Sequence, residues 1–197
     1  MSALFYNYKT NGDILFLVNE PESYPDKVVT KGDVVALYKG ETLVGVNFLN
    51  IGKVCKIHAD GLIVPVDDKL VDVVNCLLEG AMLAKLDYFA SSGYKVGKVT
   101  KIEEHPLDEK KRILTLDLGG STLSTVTRYS NFSVGDNLVL VTDGTIKFDG
   151  TKFTKRIERN IPIDAEVCSG NDLKVNDDFK SAFLANDLEA GDDFFLR

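Results

Sequence analysis

The chain has 197 residues, 44% of them hydrophobic, enough for one large core or two small ones and too apolar for a disordered or fibrous protein. It carries 23 Lys and Arg against 30 Asp and Glu, a formal net charge of −7, which excludes the coating of nucleic acid through bulk charge. Any nucleic-acid site must therefore be local.

The first segments, ALFYNY and DILFLV, are apolar runs separated by KTNG, and the Asn11-Gly12 pair predicts a tight β-hairpin. After a polar stretch with Pro21 and Pro25, DVVALY and TLVGVNFL form a second hairpin around Lys39-Gly40, giving four strands by Leu49. The period then changes. Leu70, Val73, Val74, Leu77, Leu78 and Ala81 fall on one helical face, predicting a helix from about Asp68 to Glu79 with Asp67 as cap and Gly80 as stop. Cys76 and Met82 are expected as packing residues rather than as a cofactor site. LAKLDYF is predicted to add a strand, and Ser91–Gly93 is the linker candidate. Residues 1–90 are thus expected to be an α+β domain, an antiparallel sheet with one helix, followed by a second domain over residues 91–197.

The second domain opens with VGKVTKIEEHPLDEKKRILTLDLGG, two strands joined by a polar loop, because Leu114, Leu116 and Leu118 restart a period of two. TLSTVT, NLVLV and KFDGTKF add three short extended runs punctuated by Gly135, Gly144 and Gly150. Five strands predict an all-β five-stranded OB-fold barrel, with Tyr129–Phe132 as its connecting helix between strands three and four. VNDDFKSAFLAN reads as a short helical turn, and Phe194, Phe195 and Leu196 as an end docked back on its own fold.

Enzyme signatures are thin. His58 and His105 have no Cys or Ser motif beside them, and LGGST lacks the Gly-Lys-Ser/Thr ending of a phosphate loop. Cys55, Cys76 and Cys168 form no Cys-x-x-Cys pair, and Glu103-Glu104 and Asp177-Asp178 lack calcium-loop spacing, so no metal, no disulfide and no cofactor is expected. A reducing cytoplasm fits the cysteine usage, and a start without a leader pattern and the lack of any run near 20 apolar residues predict a cytoplasmic protein of bacterial type away from the membrane. Charge is unevenly spread: Ser91 to Arg159 has 12 bases against 9 acids, a net of +3, whereas Asn160 to Arg197 has 3 against 9, a net of −6. On a barrel of this type, cations that track phosphates and aromatics that stack on bases make Lys98, Lys101, Lys110, Arg128, Tyr129 and Arg159 the candidates for an RNA-binding face.

The order and spacing also resemble the tRNA-binding domain shared by the N-terminal part of bacterial phenylalanyl-tRNA synthetase β chains and the endothelial-monocyte-activating polypeptide, and most of all the stand-alone YtpR-like group. Of the family's His-Pro-x-Ala-Asp-Lys-Leu loop, His105, Pro106 and Lys110 match, with Glu109 in place of the Asp. Gly119, Val126, Asn131 and Gly135 match further on, and the closing segment aligns without gaps on RNIPIDAEVCSGNDL through Arg159, Cys168, Ser169 and Leu173. The family's Ser-x-Gly-Met, among the residues it uses against RNA, is replaced by Ile163, Asp164, Ala165 and Glu166. Phe5, Tyr6 and Asn7 resemble the start of the group's N-terminal extension.

The resemblance implies a non-catalytic RNA-binding accessory protein that engages tRNA or other structured RNA, adds Asn131 and Ser169 to the candidate residues, and extends by analogy to a homodimer. The rival reading is a protein-interaction module on an OB-fold whose RNA face has degenerated. An enzyme ranks third.

Overall fold

The structure, a computed structural model, describes residues 1–196. It is mostly β, with two α-helices, and divides into two compact units, Met1–Ala90 with Asp149–Lys152, and Ser91–Phe148 with Phe153–Arg197. No helix among the described residues is long and apolar enough to cross a membrane.

The first unit is an antiparallel six-stranded sheet. Its elements are β1 (Ala3–Asn7), α1 (Tyr8–Asn11), β2 (Ile14–Val18), β3 (Lys27–Lys31), β4 (Val34–Lys39), β5 (Thr42–Leu49), β6 (Asp60–Leu62) and α2 (Asp68–Gly80), with sheet order β3-β4-β5-β2-β1-β6. Alternation sends Leu4, Tyr6, Leu15, Leu17, Val46 and Phe48 into one core, which Val74 and Leu78 of α2 join. Three expectations are corrected here. The expected hairpin of β1 and β2 forms, but its connection is not a two-residue Asn-Gly turn: it holds a single helical turn, α1, because the Asn7 side chain accepts the Thr10 amide and diverts the chain before Gly12. The polar stretch after Pro25 contains β3, an edge strand whose five residues are all exposed and so lack the half-buried alternation that marks a strand. LAKLDYF forms no strand; Leu83 and Leu86 instead pack back on the core as irregular chain, with both side-chain amide groups of Asn75 bonded to the Leu86 backbone.

The helix α2 begins where Asp67 accepts the Lys69 amide at 2.7 Å. It ends at Gly80, and the chain closes just after it: Met82 takes φ +62, Leu83 N–H reaches Leu78 O and Met82 N–H reaches Glu79 O, a Schellman closure with a methionine where glycine is usual. That geometry turns Met82 outward to 82% exposure, and Cys76 is exposed too, so neither is the packing residue expected. Val71, Val74 and Leu78 are the buried residues of the helix, with Leu70, Leu77 and Ala81 partly buried beside them.

The second unit contains β7 (Tyr94–Glu104), β8 (Arg112–Asp117), β9 (Thr122–Thr127), β10 (Asn137–Thr142), β11 (Arg156–Glu158), β12 (Ile161–Ile163) and β13 (Ala165–Val167). Five of them form a sheet in the order β13-β10-β7-β8-β9, all antiparallel, while β11 and β12 pair only with each other. The sheet nearly closes: Asp164 N–H donates to Ser124 O at 2.8 Å, and the Thr125 hydroxyl donates to Ala165 O, joining β9 to the start of β13. Val99, Leu114, Leu116, Leu138, Leu140 and Val167 fill the interior. Gly97 leaves room for Leu140: a Cβ there would lie 2.5 Å from a methyl of that buried leucine, which would have to shift. A bulge between Val99 and Lys101 bends the long β7 around the barrel.

The fifth strand is AEV, not KFDGTKF, which is a turn; there is no helix at Tyr129–Phe132 and no helical turn in VNDDFKSAFLAN, whose Ala182 and Leu184 make β-bridges to Ser169 and Leu138. The outward side chains Tyr94, Val96, Val139 and Val141 make a second core, covered by Phe194 and Phe195, with the Tyr94 and Phe195 rings edge to face at 5.1 Å. Asp193 secures that end. Its carboxylate accepts from Ser91 Oγ, Ser92 N and Oγ, and the Phe195 and Leu196 amides, and meets Lys95 Nζ at 3.4 Å.

Candidate nucleic-acid interface

Register decides which candidate cations share a face. Lys98 lies opposite Asp117, whose own partner on β9 is Thr122, and Lys101 opposite Thr115, whose partner on β9 is Ser124. Because Thr115 and Asp117 are two apart on β8, both lysines point the same way, outward from the barrel, and the bulge is what keeps them in phase across three residues. This face is not strongly basic: Asp117 sits across from Lys98, and Lys101 Nζ pairs with Glu103 at 3.0 Å.

A denser group of cations collects at one end of the sheet. The loop 105–111 joins β7 to β8, and Arg128 follows Thr127, whose cross-strand partner is Arg112, so Lys110, Lys111 and Arg128 share that end. All of Lys110, Arg128 and Arg159 are exposed. Arg159 is at the tip of the β11–β12 hairpin, and β12 lies beside β9, which runs into Arg128; Arg156 chiefly, then Lys111 and Arg159, hold the Glu158 carboxyl below its ordinary value. Arg156 and Lys111 were absent from the sequence candidates. The alternation in RIERNIPI around Arg159-Asn160 was the available signal for that hairpin.

Tyr129, Asn131 and Ser169 form a different group. Asn131 spends both sides of its amide on the Ala182 backbone, donating at 3.0 Å and accepting at 2.8 Å. Ser169 is 1% exposed, with its hydroxyl donating to Asp172 at 2.7 Å. Burial pushes the Tyr129 phenol up, and its hydroxyl meets Ser169. These three side chains fasten the chain after β9 to the segment 169–182, and none of their polar groups is aimed outward as a base reader requires. Cys168 beside them is fully enclosed, and burial raises its thiol well above the usual range, so it is an inert packing residue.

The replaced Ser-x-Gly-Met segment has local reasons for its acids. Asp164 Oδ2 accepts the Ser124 amide at 2.9 Å, completing the β9–β13 closure, and Glu166 pairs with Lys147 at 3.1 Å. Both carboxylates are therefore occupied by the barrel itself.

No protein-family model matches the chain. A protein of Bacillus subtilis (strain 168), named "Putative tRNA-binding protein YtpR", is 26% identical over 196 residues, 96% of this chain and 98% of that protein. The phenylalanine–tRNA ligase beta subunit of Sulfurimonas denitrificans is 29% identical over 116 residues, 56% of this chain and 14% of that subunit. Among solved structures, a MetRS-related protein from Pyrococcus horikoshii aligns with a TM-score of 0.35 and 15% identity, covering 50% of this chain and 84% of that one, a likeness too slight to bear on the fold.

Proposed function

We propose, from the homology of this chain to the YtpR protein along nearly its whole length and to the phenylalanine–tRNA ligase beta subunit over 56% of it, that it is a non-catalytic RNA-binding accessory protein whose partner is tRNA or a similarly structured RNA. The observation that carries the reading is the homology together with the strand order of the second unit. A first strand paired with both the second and fourth, and a fifth joined to the third, supports an OB-fold over residues 91–197. Residues 1–90 are a separate α+β domain in this reading.

RNA engages the end of the barrel where Lys110, Lys111, Arg128 and Arg159 gather, with Lys98 and Lys101 flanking it. Phosphates, not base edges, are the targets, because the cations there are exposed and long while the hydrogen-bonding side chains of Asn131 and Ser169 are already bonded within the protein. A protein with a net charge of −7 binds through such a local patch or not at all, so affinity must fall with salt.

Filter binding of the full chain to unfractionated tRNA at about 50 mM and about 200 mM salt tests this. The expected result is saturable binding that weakens several-fold at the higher salt. Binding that is absent at low salt overturns the reading in favour of a protein-interaction module.

A further inference from the structure

The tip of the β11–β12 hairpin is built around an arginine in an unfavourable place. Glu158 pairs with Ile161, leaving Arg159 and Asn160 as a two-residue turn, and both have positive φ, +51 and +66. This is the mirror-image hairpin turn that glycine and asparagine tolerate and that a residue with a long side chain does not favour. Asn160 suits its position. Arg159 does not, and its side chain makes no contribution to either core.

Beside it, Arg156 has its guanidinium over the buried Phe153 ring at 5.9 Å and donates from Nε to Glu158 Oε1 at 2.6 Å. A cation–π contact with a buried ring favours this placement of the guanidinium. Glu158 thus pairs with Arg156, next to Arg159 in the chain, on a hairpin whose strand β11 is exposed throughout, and the charges of Lys111 and Arg159 add to that of Arg156 in holding its carboxyl low. A carboxylate and a phosphodiester present the same thing to a guanidinium: two terminal oxygens sharing one negative charge.

We propose that this tip is a preassembled site for a backbone phosphate of RNA, and that Glu158 occupies it in the free protein as a tethered anion which the phosphate displaces. The inference rests on the RNA-binding reading above. Displacement exchanges one anion for another, and Glu158, half exposed, swings into solvent. The tethered carboxylate makes a lone phosphate a poor competitor, whereas a polyanion held at neighbouring cations competes well, so the tip selects nucleic acid over free phosphate.

Two variants of the full chain test it, with inorganic pyrophosphate as the first probe, followed by NMR shifts of the hairpin amides and arginine Nε groups. Glu158→Gln keeps the shape and removes the competing charge; it should bind pyrophosphate more tightly than wild type, by up to about fivefold, the ceiling set by an exposed ion pair. Arg159→Gly keeps the turn and removes the guanidinium; it should bind more weakly while its unfolding midpoint stays the same or rises. Equal pyrophosphate affinity in wild type and Glu158→Gln overturns the proposal, as does an Arg159→Gly protein that is less stable but binds unchanged. Unfractionated tRNA is the second probe. Tighter tRNA binding by Glu158→Gln supports the proposal, whereas pyrophosphate binding as expected with no tRNA binding by any form leaves a bare anion site and overturns the RNA reading together with the assignment of the site to RNA.

Discussion

Replacing Asp193 with Asn tests whether the C-terminal segment is held by charge as well as by shape. The two side chains have nearly the same volume, so the change leaves the Tyr94, Phe194 and Phe195 packing in place. In the native carboxylate, Oδ1 accepts from Ser92 Oγ, Phe195 N and Leu196 N, while Oδ2 accepts from Ser91 Oγ and Ser92 N and faces Lys95. An asparagine must turn its NH2 towards one of these sets. In one orientation it meets the Phe195 and Leu196 amides, in the other the Ser92 amide and the Lys95 ammonium, and none of these donors can become an acceptor. At about 1.5–3 kcal/mol for each hydrogen bond to a charged group, the loss of two such bonds predicts a cost of about 3–6 kcal/mol.

Burial by itself would raise the Asp193 carboxyl, but the Ser92 hydroxyl and amide, the Leu196 amide and the Ser91 hydroxyl outweigh it and hold the group below its ordinary value of 3.8. A lowered carboxyl contributes stability that is full above 3.8 and is lost as pH falls from there towards the folded-state value. Urea unfolding of both proteins at neutral pH should therefore show the large gap, and the gap should narrow below 3.8. A difference under about 0.5 kcal/mol at neutral pH, within the ordinary range of surface substitutions, refutes the account.

In the first unit, Leu78→Ala should cost about 2–5 kcal/mol as a core cavity, and Leu77→Ala, whose side chain is only partly buried, clearly less; equal urea midpoints for the two would misplace the helix face. Asp164→Ala should lose about 1–3 kcal/mol, because the Ser124 amide at the barrel closure loses its acceptor, and unchanged thermal unfolding would mean that the closure does not depend on it. Lys110→Ala with Arg128→Ala should weaken tRNA binding and flatten the salt slope by about 0.7–0.9 for each phosphate that is no longer neutralised, while Lys101→Ala, whose charge is paired with Glu103, should change little; the opposite ranking in filter binding would move the interface to the strand face. A fragment starting at Ala90 should unfold cooperatively, and one starting at Gly93 should melt earlier for want of Ser91 and Ser92, a contrast that differential scanning calorimetry would read directly.

The sequence by itself determined what depends on neighbours in the chain. A period of two in TLDL and of 3.6 in LVDVVNCLL each follows from burying one face, so β8 and α2 were legible, as was the Asp67 cap, a bond across two residues. The resemblance located the loop from His105 to Lys111 and the closing segment, and so the end of the barrel where cations gather. Tertiary structure decided what depends on residues far apart. On paper KFDGTKF, at seven residues, is the better strand candidate than the three of AEV; AEV became β13 because β10 and β9 offer it partners on both sides, through Val167 opposite Leu140 and Ala165 beside Thr125. The same holds for the polar candidates. Nothing local distinguishes Asn131 from an exposed reader, or Asp164 from a solvated acid, since their partners lie 51 residues away at Ala182 for Asn131 and 40 away at Ser124 for Asp164. A hydrogen bond at such separations leaves no detectable pattern in the chain, whereas burial of an apolar face repeats along it and can be read.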